Sequence, residues 1–195
     1  MVLSLRAQCS QCLSGVFYLQ LRVLNALVVK KMILRKITEY DYPSIAEIYL
    51  LGIVTKNATF ETTAPDWETW NKKYVPHSRF VAESNNNIIG WAALTEVSGR
   101  CVYAGVCEVS VYVHPEHSGK GIGKKLVAAL ISESEKNNIW TLQAGIFPEN
   151  KASIKIHLDN GFREVGYRER IGKQDGVWRD TVLLERRSGV VGCEV

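Results

Sequence analysis

A chain of 195 residues with 46% hydrophobic and 23% charged residues has globular composition and the length of one domain. It is long enough to bury a core without disulfides or a structural metal. The net charge of +4 is mild, and no dense Lys/Arg block or basic stripe interleaved with aromatics occurs, which argues against nucleic acid as a partner. The five cysteines, Cys9, Cys12, Cys101, Cys107 and Cys193, are an odd count in a chain too large for a disulfide scaffold and read as thiols in a reducing compartment. Cys9 and Cys12 form a lone C-x-x-C without a second pair or a nearby His, so no metal is expected.

Residues 1–31 carry Arg6, Arg22, Lys30 and Lys31 but no acid; the first acidic residue is Glu39. The apolar stretch Leu13–Val29 is interrupted by Gln20, Arg22 and Asn25, short of the ~20 nearly uncharged residues of a membrane span. It also lacks the clean apolar run and small-residue cleavage site of a signal peptide. No membrane association is therefore expected of the domain. Residues 1–31 read as an extension outside the fold: an upstream start, a targeting segment, or a helix for a partner or membrane surface. Residues 32–187 read as the domain and 188–195 as a loose tail.

Ile33–Ile37 reads as a short strand. Asp41 is placed as an N-cap with Pro43 in the first turn, and Ile45, Ile48, Tyr49 and Ile53 recur at helical spacing. Pro65-Asp66 opens a second helix carrying Trp67, Trp70 and Tyr74. Phe80-Val81-Ala82 and Ile88–Leu94 read as strands joined through Asn85-Asn86-Asn87, a hairpin signal. Ser98-Gly99 marks a turn before a long strand, Tyr103–Val113, with Cys107, Val109, Val111 and Val113 on one face and Glu108, Ser110 and Tyr112 on the other. After Pro115 a glycine-rich loop leads into a helix with the stripe Leu126, Val127, Leu130, Ile131, closed by Asn137-Asn138. A strand Trp140–Ala144, a helix Asn150–Asn160 ended by Gly161, and two strands, Phe162–Arg170 and Trp178–Glu185, complete the domain. Hairpins mixed with helical crossovers imply an α/β (α+β) domain, a mixed sheet with helices on both faces.

The segment Glu108 to Leu126 carries the chemistry. A strand ends, Gly119-Lys120-Gly121-Ile122-Gly123-Lys124 follows, and a helix begins. Glycines let a backbone approach a ligand. The unpaired amides of a first helical turn, with the helix dipole, suit an anion such as a pyrophosphate. Lys120, Lys124 and Lys125 add positive charge. A nucleotide P-loop would need Ser or Thr after Gly123-Lys124, where Lys125 stands, and the dinucleotide pattern lacks its third glycine. A plain glycine turn capping a helix is the alternative.

This strand, V-x-P, glycine loop and helix resemble the acetyl-CoA loop of the GNAT acetyltransferases, with Gly121 and Gly123 matching that family's two glycines. Ser118 stands where the family usually has Gln or Arg, which removes one side-chain contact and leaves the backbone amides. Thr59-Phe60-Glu61, Gly99-Arg100 with Tyr103, Glu108 to Val113, Asn150-Lys151-Ala152-Ser153 through His157 to Gly161-Phe162, and Gly176 to Asp180 together resemble the phosphinothricin acetyltransferase and L-amino acid N-acyltransferase branch. The resemblance covers residues 32–186 and implies a mostly antiparallel sheet, acetyl-CoA as co-substrate and a homodimer.

Acetyl transfer to an amine requires that the amine lose a proton to a positioned carboxylate, directly or through a water. Glu108 matches the family's catalytic Glu, the alternative being a solvated strand carboxylate. Backbone N–H groups of Val111, Tyr112 and Val113 are the expected oxyanion donors. His157, where many family members carry Tyr, could protonate the leaving thiolate, orient the substrate, or simply pack its helix. Asn150 and Ser153 fall where the family contacts the pantetheine and nucleotide ends, and Asn150 is also a natural N-cap. Arg100 and Tyr103 are candidates to hold a substrate carboxylate or phosphinate. Phe60 is carried as a substrate-side residue, although Phe60, Trp91 and Trp178 read first as core. The expected reaction is acetyl transfer to the primary amine of phosphinothricin, methionine sulfoximine or a free L-amino acid, in the cytoplasm. Two alternatives remain: an acetyltransferase for a peptide, lysine or polyamine amine, and a silent acyl-CoA-binding module.

Overall fold

The computed structural model describes residues 32–192. The extension 1–31, with Cys9 and Cys12, and the last three residues of the tail lie outside the described residues. Seven strands form one sheet in the order β1-β2-β3-β4-β5-β7-β6: β1 Ile33–Lys36, β2 Arg79–Ser84, β3 Asn87–Glu96, β4 Val106–Val113, β5 Thr141–Ile146, β6 Arg163–Gln174 and β7 Val177–Arg187. Every pairing is antiparallel except β4 with β5.

The period-two alternation of β2 and β3 sorts their side chains between two cores. Val81, Trp91 and Ala93 pack with Ile45, Ile48 and Tyr49 of α1 (Tyr42–Val54) and Trp70 of α2 (Trp67–Lys73). On the other face Ala82, Ala92 and Leu94 pack with Leu126, Val127 and Leu130 of α3 (Ile122–Lys136), joined by Ile154 and Ile156 of α4 (Lys151–Leu158). The helices therefore cover both faces, as the pattern predicts. The Asn85-Asn86 turn takes left-handed φ values of 53° and 62°, the geometry asparagine tolerates in a tight hairpin.

Three local expectations need correction. Asp41 stands at the N-cap of α1 but makes no capping bond; its carboxylate accepts from the Arg35 guanidinium at 2.7 Å and from the Thr38 amide at 2.8 Å. An ion pair with two good donors outcompetes a single cap bond. The strand expected from Tyr103 begins only at Val106, because Cys101–Tyr103 coils into a 3-10 turn. Trp178 is 56% exposed rather than core, since it follows the Asp175-Gly176 turn at the start of β7, with Lys173 over its ring at 5.9 Å. Trp91, fully buried, is core as expected.

Candidate active site

The one parallel pairing creates the site. β4 and β5 share only the rungs Val106↔Thr141, Cys107↔Leu142 and Glu108↔Gln143. Beyond Glu108, β4 continues along β3 and β5 continues along β7, so the two strands part. The bonds Val97 N–H to Val106 O (3.2 Å) and His114 N–H to Ile89 O (3.0 Å) put the even-numbered residues of β4 in hydrogen-bonded register with β3. By alternation, the amides and carbonyls of Val109, Val111 and Val113 turn toward the gap. Tyr112, opposite Trp91, gives its amide to the ladder, so of the three expected backbone donors only Val111 and Val113 face the opening.

A cleft of about 940 Å³ follows this gap. At its base lies Glu108, exposed, with Oε1 3.6 Å from the point where a Cβ on Gly145 would stand. Three tyrosines line the same side. Tyr49 and Tyr112 meet edge to face at 4.9 Å, and the Tyr74 hydroxyl lies 3.5 Å from Ser110 Oγ. Burial raises all three pKa values, and the Glu108 charge adds to the effect at Tyr74. They therefore stay neutral hydroxyls at physiological pH. Sequence reading missed this cluster: spacing showed Tyr49 and Tyr74 only as helix-face aromatics.

At the far end, Gly119 and Gly121 both take φ of +74° and a side chain there would meet nothing within 4 Å. That combination leaves open backbone for a ligand to approach. Gly121 caps α3, and the first helical bond runs from Lys125 N–H to Gly121 O, so the amides of Ile122, Gly123 and Lys124 have no intrahelical acceptor. Gly123 differs: a Cβ there would lie 2.9 Å from Ile156 Cδ1, so this glycine lets α3 close on α4. These features fit a pyrophosphate-bearing ligand. Lys120 folds onto the Glu116 carbonyl at 2.9 Å and does not line the cleft, whereas Lys124 does, 3.6 Å from Asp159.

Asn150 and Ser153 line the cleft. Asn150 Oδ1 accepts from Ser153 N–H at 3.1 Å as the N-cap of α4, and its Nδ2 donates to Asn57 O at 3.1 Å. His157 is 1% exposed, edge-on to Phe162, with Nδ1 2.8 Å from Ser153 O. A carbonyl only accepts, so Nδ1 carries the proton. Burial lowers the His157 pKa, the ring is neutral, and Nε2 is a buried acceptor without a partner. Asn57 Oδ1, Thr95 Oγ1 and Thr181 Oγ1 are likewise buried and unpartnered, and all three residues line this cleft.

Phe60 lies edge-on to Phe147 at 4.8 Å and over Gly172, where a Cβ would come within 2.8 Å of its ring. The α1–α2 loop that carries it is tied to the β6–β7 hairpin. Gln174 Nε2 donates to Thr59 O at 2.9 Å, and Arg179 Nη1 donates to Lys56 O at 2.8 Å. Arg179 also pairs with Glu149 at 3.2 Å and stands 4.1 Å over the Phe147 ring. Arg100 and Tyr103 are not brought to the cleft. They form their own exposed pair on the 101–103 turn, guanidinium 5.5 Å over the phenol, and neither lines the cavity. His114, Glu116 and His117 group their ligand atoms within 4.8 Å, six or more residues along the chain from Glu108.

Known proteins share this architecture. The chain is 31% identical over 160 residues to phosphinothricin N-acetyltransferase of Alcaligenes faecalis, covering 78% of this chain and 80% of that protein. It is 29% identical over 159 residues to an L-amino acid N-acyltransferase of Escherichia coli, covering 79% and 92%. The crystal structure of a GNAT superfamily phosphinothricin acetyltransferase from Sinorhizobium meliloti in complex with AcCoA superposes with a TM-score of 0.74 at 29% identity, covering 84% and 92%. With residues 45–162 matching the acetyltransferase (GNAT) family, the chain belongs to that family and is an acetyl-CoA-dependent N-acetyltransferase.

Proposed function

We propose that the enzyme transfers acetyl from acetyl-CoA to the primary amine of a small amino-acid-like acceptor such as phosphinothricin, methionine sulfoximine or a free L-amino acid. The observation that carries this reading is the parted β4–β5 seam, with a carboxylate at its base and a glycine-capped helix at its far end. The names of the relatives above support the acceptor class.

Acetyl-CoA supplies an activated thioester carbonyl. Gly119, Gly121 and the first-turn amides of Ile122, Gly123 and Lys124 hold the pyrophosphate. Asn150 and Ser153 flank the arm, and Val113 turns its backbone to it. The Val111 amide faces the carbonyl oxygen as it gains charge. Glu108 takes the proton of the incoming ammonium, directly or through water, its exposure keeping it in reach of solvent. The neutral tyrosines bound the acceptor side without adding charge, and Phe60 closes it. His157 has no proton at Nε2 to give, so we assign it to orienting the acyl donor rather than to acid catalysis.

The reading includes three further elements. The domain spans 32–187, with residues 1–31 as an appendage and 188–195 as a tail. Two copies form a homodimer, supported by the family resemblance and by exposed Val165, Tyr167 and Ile171 on the edge strand β6; light scattering would give a monomer mass if this is wrong. The enzyme works in the cytoplasm, a reducing compartment that suits the free thiols Cys101 and Cys107, and cell fractionation checks it. No helix among the described residues is long and apolar enough to cross a membrane.

Following CoA thiol release with phosphinothricin, methionine sulfoximine, free amino acids and spermidine tests the function. We expect turnover of the amino-acid-like acceptors and a loss of ~10²-fold or more in Glu108→Gln. Turnover of spermidine or a peptide amine alone would move the acceptor class, and acetyl-CoA binding without turnover would leave a silent module.

A further inference from the structure

Arg100 lies outside the cleft of its own chain, which leaves the cleft's own cations as candidates for the carboxylate of an amino-acid acceptor. Among the described residues, three lysines line the cleft: Lys73, Lys124 and Lys155. Lys124 and Lys155 both pair with Asp159, at 3.6 and 3.0 Å, beside the glycine loop. Lys73 is the one at the Glu108 side. It is the last residue of α2, and its ammonium lies 3.5 Å from Glu61 Oε1, a long pair with both side chains about half exposed. Such a pair holds its partners weakly, so the ammonium can turn to a new anion.

A second cavity, about 460 Å³, adjoins the first. It lies between the C-terminal end of α2 and the β3–β4 connection, and it shares Lys73, Tyr74 and Thr95 with the main cleft. Thr95 is the direct cross-strand partner of Glu108, which puts their Cβ atoms ~5 Å apart. Its Oγ1 is buried and bonded to nothing. The shared wall thus carries a cation, an unsatisfied hydroxyl and, across the same rung, the carboxylate assigned as base. An α-amino acid presents the matching set: an ammonium for Glu108 and a carboxylate a few ångströms off.

Resting on the acceptor class proposed above, we propose that Lys73 binds the acceptor's carboxylate or phosphinate, that the Thr95 hydroxyl donates a second hydrogen bond to it, and that the adjoining cavity takes the acceptor's remaining chain. Lysine suits this task because its ammonium is a mobile point charge with three donors. Specificity then comes from the anion, and an acceptor lacking one leaves Lys73 on Glu61.

The test compares L-methionine with L-methioninamide as acceptors, by kcat/KM from CoA thiol release, in wild type, Lys73→Met and Lys73→Arg. The wild type is expected to prefer the acid by ~10-fold or more, as for a charge-assisted bond lost with the anion. Lys73→Met brings the ratio to within about threefold of unity, and Lys73→Arg restores most of it. Lys73 is exposed, so circular dichroism of Lys73→Met should match wild type. Free amino acids acetylated without preference over amides, or a preference that survives in Lys73→Met, overturns the anchor while the acceptor class stands. Turnover of spermidine alone overturns both.

Discussion

Glu108 and Gly145 face each other across the seam where β4 and β5 part, the carboxylate oxygen 3.6 Å from the position a Cβ would take on Gly145. A methyl group there makes ordinary van der Waals contact, and a branched side chain does not fit beside the carboxylate. Gly145→Ala is expected to keep activity within about threefold, whereas Gly145→Val displaces Glu108 and lowers kcat ~10-fold or more. Valine suits an exposed strand position, so the melting temperature should hold. A parallel fall in both quantities would show that the seam, and not the carboxylate, had been disturbed.

Gly121 and Gly123 look alike in sequence and should behave differently. Gly121 sits at φ +74°, where any side chain costs ~1–2 kcal/mol of backbone strain. Gly121→Ala should lose that much in urea unfolding and weaken acetyl-CoA binding measured by calorimetry. At Gly123 the added methyl crowds the tip of Ile156, which can swing aside, and makes ordinary contact with Val113, and alanine gains ~1 kcal/mol of helix propensity. Gly123→Ala is expected within about 0.5 kcal/mol of wild type by that offset. Equal losses in the two variants would show that Ile156 cannot swing aside and that the close approach of α3 to α4 requires a glycine.

The contrast shows what a sequence carries. The strand, loop and helix order around residues 108–136 was readable because alternation, Pro115 and the glycines are local signals, and so was the face on which Glu108 lies. Arg100 and Tyr103 were expected as substrate contacts from the resemblance and from the fit of arginine to a carboxylate, neither of which reports that the chain coils at Cys101-Val102-Tyr103 before β4 starts at Val106. The loop tie was illegible for another reason. Arg179 reaches Lys56 across 123 positions, and nothing local in either segment announces the other. The tyrosine cluster likewise needs α1, α2 and β4 brought together before it exists.

That tie is itself testable. Arg179 donates to Lys56 O and Gln174, pairs with Glu149 and covers Phe147, and its side chain is 18% exposed. Arg179→Met keeps the apolar stem but loses the charged donors, at a cost of ~1–3 kcal/mol. Because the tie holds the loop carrying Phe60, the acceptor KM should rise with kcat less affected. A stability loss without a change in KM would separate the loop from acceptor binding.

His157 makes the fold sensitive to mild acid. Burial pulls its pKa below the ordinary 6.5, so the unfolded chain takes up this proton at a higher pH than the folded one. Its contribution is complete above pH 6.5 and is lost as pH falls from there toward the folded pKa. Thermal melts from pH 8 to 5 should show wild type losing stability over the lower part of that range and His157→Gln losing less. His77 shifts in the same direction, so the difference between the two proteins is the readout. Identical slopes would mean that the imidazole is not buried neutral.

The parted seam has one more consequence. Val109, Val111 and Val113 turn backbone groups into a gap that no strand among the described residues fills, so the sheet is interrupted at its centre. A co-substrate with its amide-bearing arm along β4 would act as the missing strand. Occupancy then adds to the stability of the whole domain, by ~2.7 kcal/mol at a hundredfold excess over Kd. Such an enzyme would couple its lifetime to its fuel: cells rich in acetyl-CoA would keep it folded and protease-resistant, and starvation for acetyl groups would expose it to turnover.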